Sequence, residues 1–178
     1  MPIEGTVKRL LSRLRSDGGF GLVELMIAMV VMNIGLLSLL AAFANGVVTT
    51  RRAGRSATAS TLADSQIELY RALTYSVIAL DASSIPSTAP YTADKAYNAS
   101  QVTATCSGQV SSNPQCNASR SVTGPDHGTY KVYTYIVWLT PTNGRQVKQV
   151  TVAVYDAAHT SGPALARRAS VFDESTGT

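Results

Sequence analysis

The sequence is poor in the residues from which catalytic and metal centres are built. Its 178 residues include two cysteines, two histidines and one tryptophan, and charged side chains make up only 15%. Cys106 and Cys116 stand apart from His127 and His159, so no zinc-type ligand spacing is present. There is no G-x-S-x-G elbow, no P-loop and no dinucleotide fingerprint, which removes the commonest hydrolase, nucleotide and redox signatures. Asp126 and His127 adjoin in "GPDHGTY", a turn composition in which neighbours seldom form a catalytic dyad, and His159 lies in the polar stretch "DAAHTSG". Both histidines read as solvated. The formal net charge is +4, of which the first 19 residues contribute +2 through Lys8, Arg9, Arg13 and Arg15 against Glu4 and Asp17. A basic balance placed this way does not mark a nucleic-acid binder. No enzyme activity, no cofactor and no metal are expected.

Charge is scarcest where it matters most. Between Asp17 and Arg51 the only charged side chain is Glu24, and no proline stands between Pro2 and Pro86. The apolar block Phe20–Val48 exceeds the roughly 20 residues that span a bilayer core. It is apolar on every helical face, as a membrane helix is. Past Val48 the composition turns polar in "TTRRAGRSATASTLADSQIELYRAL", with Arg51, Arg52 and Arg55 at the level of lipid headgroups. Leu62, Gln66, Leu69 and Leu73 recur at helical spacing beside Ala59, Ile67 and Tyr70. One long helix is predicted from about residue 20 to about 79, with Gly46 and Gly54 as its weak points.

The remaining segments follow from composition. Residues 1–19 are short, basic and end in "SDGG", and read as a removable leader. Residues 20–48 form the apolar helix, 49–79 its amphipathic continuation, and 80–128 a Ser/Thr/Pro/Asn-rich connection with little periodicity. Cys106 and Cys116 are expected to close a short loop in that connection by a disulfide formed outside the cytoplasm, two free thiols being the alternative. Asn98-Ala-Ser100 and Asn117-Ala-Ser119 match the N-glycosylation pattern, read here as chance. Residues 129–173 are predicted as antiparallel β-sheet: strands Thr129–Leu139 and Gln146–Tyr155 joined through Asn143-Gly144, then a third in "ALARRASVFD". Residues 174–178 are a tail. Trp138, Tyr130, Tyr133 and Tyr135 read as sheet packing rather than a base-stacking platform, so nucleic acid is not an expected partner. The fold class is α+β, the amphipathic half of the helix covering the sheet.

Glu24 has no Lys, Arg or His inside the apolar run to offset it. A cut between Gly19 and Phe20 would create a cationic amino group four residues away, and a neighbouring copy could present that amine to Glu24. The stretch that carries this argument, "GGFGLVELM", resembles the processing site of type IV prepilins. The resemblance is specific over about residues 16–45 and implies that Gly19 precedes the cut, that Phe20 becomes the N-methylated terminus and that Glu24 is the assembly carboxylate. It further implies a type IV pilin-like fold, processing by a prepilin peptidase, and partnership with other pilins or pseudopilins through the helix. A single-pass inner-membrane stage with the C-terminal domain outside the cytoplasm, surrounded by membrane lipid, would precede a cell-surface or periplasmic filament. "VMNIGLLSLLAAF" and "VKQVTVAVYD" are similar to minor pilins of the type IV pilus modification protein family. Gly21 stands where type IV prepilins usually have Thr or Ser. Two other readings remain: a secreted domain released at "AAFAN" with Asn45 first, and a signal-anchored binding module in which Glu24 has no task.

Overall fold

The computed structural model describes residues 21–106, 113–142 and 144–174. The chain divides into two compact units, Met1–Thr49 and Thr50–Thr178. One helix, α1 (Leu22–Arg71), contributes described residues to both. It runs unbroken through Gly35, Gly46 and Gly54, the last two of which the sequence marks as weak points. At each of the three, an added Cβ would meet nothing within 4 Å.

Four strands follow: β1 (Ser119–Thr123), β2 (Thr129–Leu139), β3 (Val147–Asp156) and β4 (Ala166–Phe172). They form one antiparallel sheet in the order β1-β2-β3-β4. Alternation divides its side chains between two faces. Val132, Thr134 and Ile136 of β2, with Lys148, Val150, Val152 and Val154 of β3, point toward α1. The helix meets them with Ala59, Ala63, Gln66, Ile67 and Tyr70, all buried. Leu62 is only partly buried beside them. This is the α+β, pilin-like architecture that the resemblance implies. At the turn between β1 and β2, Gly124 lies so close to α1 that a Cβ there would sit 2.7 Å from Thr58 Cγ2.

The helix ends at Arg71, about two turns before the expected limit. Thr74 is already extended, and a single 3₁₀ turn follows at Tyr75–Val77. Lys148, buried among apolar strand neighbours, fixes this non-helical segment to β3 by donating its Nζ hydrogens to the carbonyls of Tyr75 (2.7 Å) and Ile78 (2.8 Å). Nζ also lies 4.7 Å from the Tyr75 ring centroid and 5.3 Å from that of Trp138. Burial depresses the pKa of this ammonium.

The second face of the sheet is covered as well. Tyr133 and Tyr135 of β2 and Tyr155 of β3 are buried there. Tyr91, from the connection after α1, stacks on Tyr135 at 4.5 Å and meets Tyr133 edge-on at 5.5 Å. The Tyr91 hydroxyl donates to the Thr134 carbonyl, and the Tyr135 hydroxyl donates to the Tyr91 carbonyl. The connection expected to be aperiodic is therefore a packed layer, and β1 lies within that expected loop. Short bridges also tie it down: Gln101 pairs with Val137, and Leu80 with Thr103.

Cys106 and Cys116 are joined by a disulfide, with Cα atoms 6.3 Å apart. Asp81 links the backbone of both cysteines. Its carboxylate accepts the Cys106 N–H, while its own N–H donates to the Cys116 carbonyl. Hydrogen bonds from the Ser83 hydroxyl and N–H hold this carboxyl below the usual carboxylate range. Closing so short a loop restricts the unfolded chain by on the order of 3 kcal/mol. Replacing both cysteines by serine is expected to lower the urea midpoint accordingly, and a reducing agent should reproduce that shift in the wild-type protein alone.

Candidate functional site: the amino-terminal half of α1

In the first turn of α1, the N–H groups of Glu24 and Leu25 both donate to the Gly21 carbonyl, at 2.8 and 3.1 Å. Glu24 is the acidic residue of that turn, where the positive end of the helix dipole favours a carboxylate. Its side chain is exposed, and among the described residues it has no ion-pair partner. Every residue from Leu22 to Val48 is exposed, with mean hydropathy 2.4 over the most apolar 18-residue window. Among the described residues nothing covers this surface. Three polar side chains on this part of α1 bond locally: Asn33 Nδ2 donates to the Met29 carbonyl, Ser38 Oγ to that of Ile34 and, just past Val48, Thr49 Oγ1 to that of Asn45. Such local bonding fits a helix with no surrounding water. The carboxylate is the exception. Gly19 and Phe20 lie outside the described residues.

The residues considered for catalysis are engaged in structural contacts or stand in solvent. The Asp126 carboxylate accepts the Tyr130 hydroxyl at 2.5 Å and the Gly128 N–H at 3.2 Å. The Tyr130 bond, more than any other contact, holds its pKa down. His127 is exposed in a left-handed conformation (φ 57°), which the tight turn between β1 and β2 requires. His159 is exposed, with Nδ1 3.9 Å from Asp156, which itself accepts Arg55 Nη1 at 2.8 Å. Among the described residues, no group of three or more His, Cys, Asp or Glu side chains is placed to hold a metal ion.

A charged cluster on the tyrosine-covered face has no local signature in the sequence. The Asp94 carboxylate is almost fully enclosed and accepts Arg167 Nη2 on both oxygens, at 2.8 and 2.7 Å. It also accepts the Tyr155 hydroxyl and the Ala96 N–H. Burial alone would raise the Asp94 pKa, but these donors outweigh it and hold the carboxyl low. The same burial and hydrogen bond push the Tyr155 hydroxyl up to about 12. Asp94 and Arg167 are 73 positions apart, and only the fold brings them together.

Comparison with known proteins bears on the helix start. The family model of the prokaryotic N-terminal methylation motif matches residues 14–40. No curated protein and no solved structure matches the chain. The matched stretch contains Gly19, Phe20 and Glu24, and supports a pilin-like or pseudopilin-like substrate of prepilin peptidase. With the apolar helix, it fits a membrane-anchored protein of that kind.

Proposed function

We propose that this chain is a structural minor pilin or pseudopilin subunit, without catalytic activity of its own. A prepilin peptidase cuts it between Gly19 and Phe20 and methylates the new Phe20 amine. The mature protein waits as a single-pass protein of the inner membrane, its C-terminal domain outside the cytoplasm, and joins other pilins through the helix in a cell-surface or periplasmic filament. Among pilin-like proteins, the type IV pilus modification group is the one we favour, on the strength of the sequence likeness in the helix and in β3.

One observation carries this reading: the sole charge of the exposed, membrane-length stretch Leu22–Val48 of α1 lies inside the methylation-motif match. Apolar exposure on this scale calls for lipid first and protein neighbours later. The Cys106–Cys116 disulfide supports an oxidising compartment for the C-terminal unit. A signal-anchored binding module would use the same apolar run but leaves Glu24 without a role.

Intact mass and N-terminal sequencing of protein purified from its native membranes test the proposal. The expected species begins at Phe20 and carries one added methyl group on its amine. Deleting the prepilin peptidase should leave the full leader attached. A mature chain beginning at Asn45 would establish the secreted reading, and a native chain that retains Met1–Gly19 in the presence of active peptidase would overturn ours.

A further inference from the structure

Lys148 is the one cation buried among the described residues, with 4% of its surface exposed. It has no ion-pair partner there, so neutral groups must offset the cost of taking its charge out of water. Its neighbours across the sheet are Trp138 in β2 and Phe172 in β4. Tyr75 closes the site from the segment after α1, its hydroxyl donating to the Gln146 carbonyl at 3.3 Å. Two ring faces and two carbonyl oxygens thus converge on one nitrogen. Aromatic faces attract ammonium groups, and carbonyls accept their hydrogens in charge-assisted bonds.

Apolar packing does not account for this residue. The other helix-facing positions of β3 are Val150, Val152 and Val154, all buried, and a fourth valine at 148 would extend the core without desolvating a charge. It would also deprive the carbonyls of Tyr75 and Ile78 of these donors, in a segment already past the end of α1. Trp138 is exposed and Tyr75 half-buried, which puts the site at the margin of the core, within reach of solvent once the lysine stem is gone. Two carbonyl acceptors call for N–H donors, so a primary ammonium fits and a quaternary one does not.

We propose that Tyr75, Ile78 and Trp138 form a primary-ammonium site that the chain fills with its own Lys148, and that the bound charge, rather than the aliphatic stem, locks residues 75–78 onto the sheet. With the lysine truncated, the same groups accept a small primary alkylammonium from solution. The site lies wholly within the C-terminal unit and is independent of leader processing and filament assembly. Amide hydrogen exchange of the full chain in zwitterionic detergent micelles at neutral pH provides the test. Lys148→Met keeps the stem as far as Cε without the charge, so the fold should persist. Exchange at the Ile78 and Leu80 amides, which bond to the Tyr75 and Val102 carbonyls, should rise while that at Val154 changes little. The expected rise is about tenfold or more, the lower end for hydrogen bonds to a charged group. In Lys148→Ala, propylammonium has the outline of the missing group and should restore protection at Ile78 and Leu80 saturably. Neither n-propanol nor tetramethylammonium should do so, and the wild type should respond to none of the three. Unchanged exchange in Lys148→Met, no rescue of Lys148→Ala by propylammonium, or equal rescue by n-propanol would overturn the proposal.

Discussion

Replacing Asp94 by alanine is expected to destabilise the C-terminal unit by about 3 kcal/mol, the lower end of the range for breaking a buried ion pair. The substitution removes one carboxylate but strands several groups. Arg167 loses its counter-ion, the buried Tyr155 hydroxyl loses its acceptor, and the Ala96 N–H is left open. The loss stays at the lower end because the Arg167 side chain keeps 25% of its surface in solvent, whereas that of Asp94 keeps 1%. Asp94→Asn retains an acceptor oxygen without the charge and should lose less. Urea unfolding followed by Trp138 fluorescence measures both. A change below about 1 kcal/mol for alanine would mean that water replaces the carboxylate.

The same pair predicts a pH dependence. The folded carboxyl titrates below its unfolded value of about 3.9, so its stabilisation is complete above that pH and is lost as pH falls through the folded pKa. Asp81 and Asp126 are also held low, and therefore the whole unit should weaken in acid. The gap between wild type and Asp94→Ala isolates one residue: it should be constant from pH 5 to pH 7 (roughly) and narrow below about pH 4.

These charged contacts were the least legible part of the sequence, and the reason is distance. Asp94 sits in "YTADKAY" and Arg167 in "ALARRAS", each an ordinary surface pattern, and no local period relates them. The central strands were legible because each is a long run rich in β-branched and aromatic residues, joined through the turn residues Asn143-Gly144. Thr129–Leu139 matches β2 at both ends, and the second strand is shifted by one residue. β1 was not, since "SRSVT" holds one large apolar residue and its pairing comes from β2 alone. The packed connection hid for a related reason: Leu80, Tyr91 and Val102 are single anchors at irregular spacing. On the helix, the leucines that draw the eye, Leu62 and Leu69, are only half-buried, while Ala59, Ala63, Gln66, Ile67 and Tyr70 form the buried stripe. Glu24 stood out for the opposite reason, as a lone charge needs no partner in view to be noticed.

Replacing Glu24 by alanine is expected to leave leader removal and the fold of the C-terminal unit intact while reducing filament incorporation about a hundredfold or more. A carboxylate at the centre of a bilayer costs about 2.5–3.5 kcal/mol, and less near one end, where headgroups and the helix dipole assist it. Membrane residence therefore tolerates Glu24 without needing it, and alanine should anchor at least as well. In the proposed filament the balance reverses. The Phe20 amine of a neighbouring subunit enters a low-dielectric bundle, and without the carboxylate that cation is buried unpaired. Losing one member of such a pair typically costs about 3–5 kcal/mol, or about two to three and a half decades in an association constant. Hydrophobic burial along Leu22–Val48 is untouched by the substitution, but it is non-directional and leaves the axial offset between helices unspecified. Glu24→Asp keeps the charge on a shorter arm and should incorporate at an intermediate level. Wild-type and variant chains expressed together, each quantified in sheared filaments and in membranes, separate assembly from anchoring. A processed alanine variant that enters filaments at the wild-type level would show that packing alone sets the register and that the carboxylate serves some earlier step.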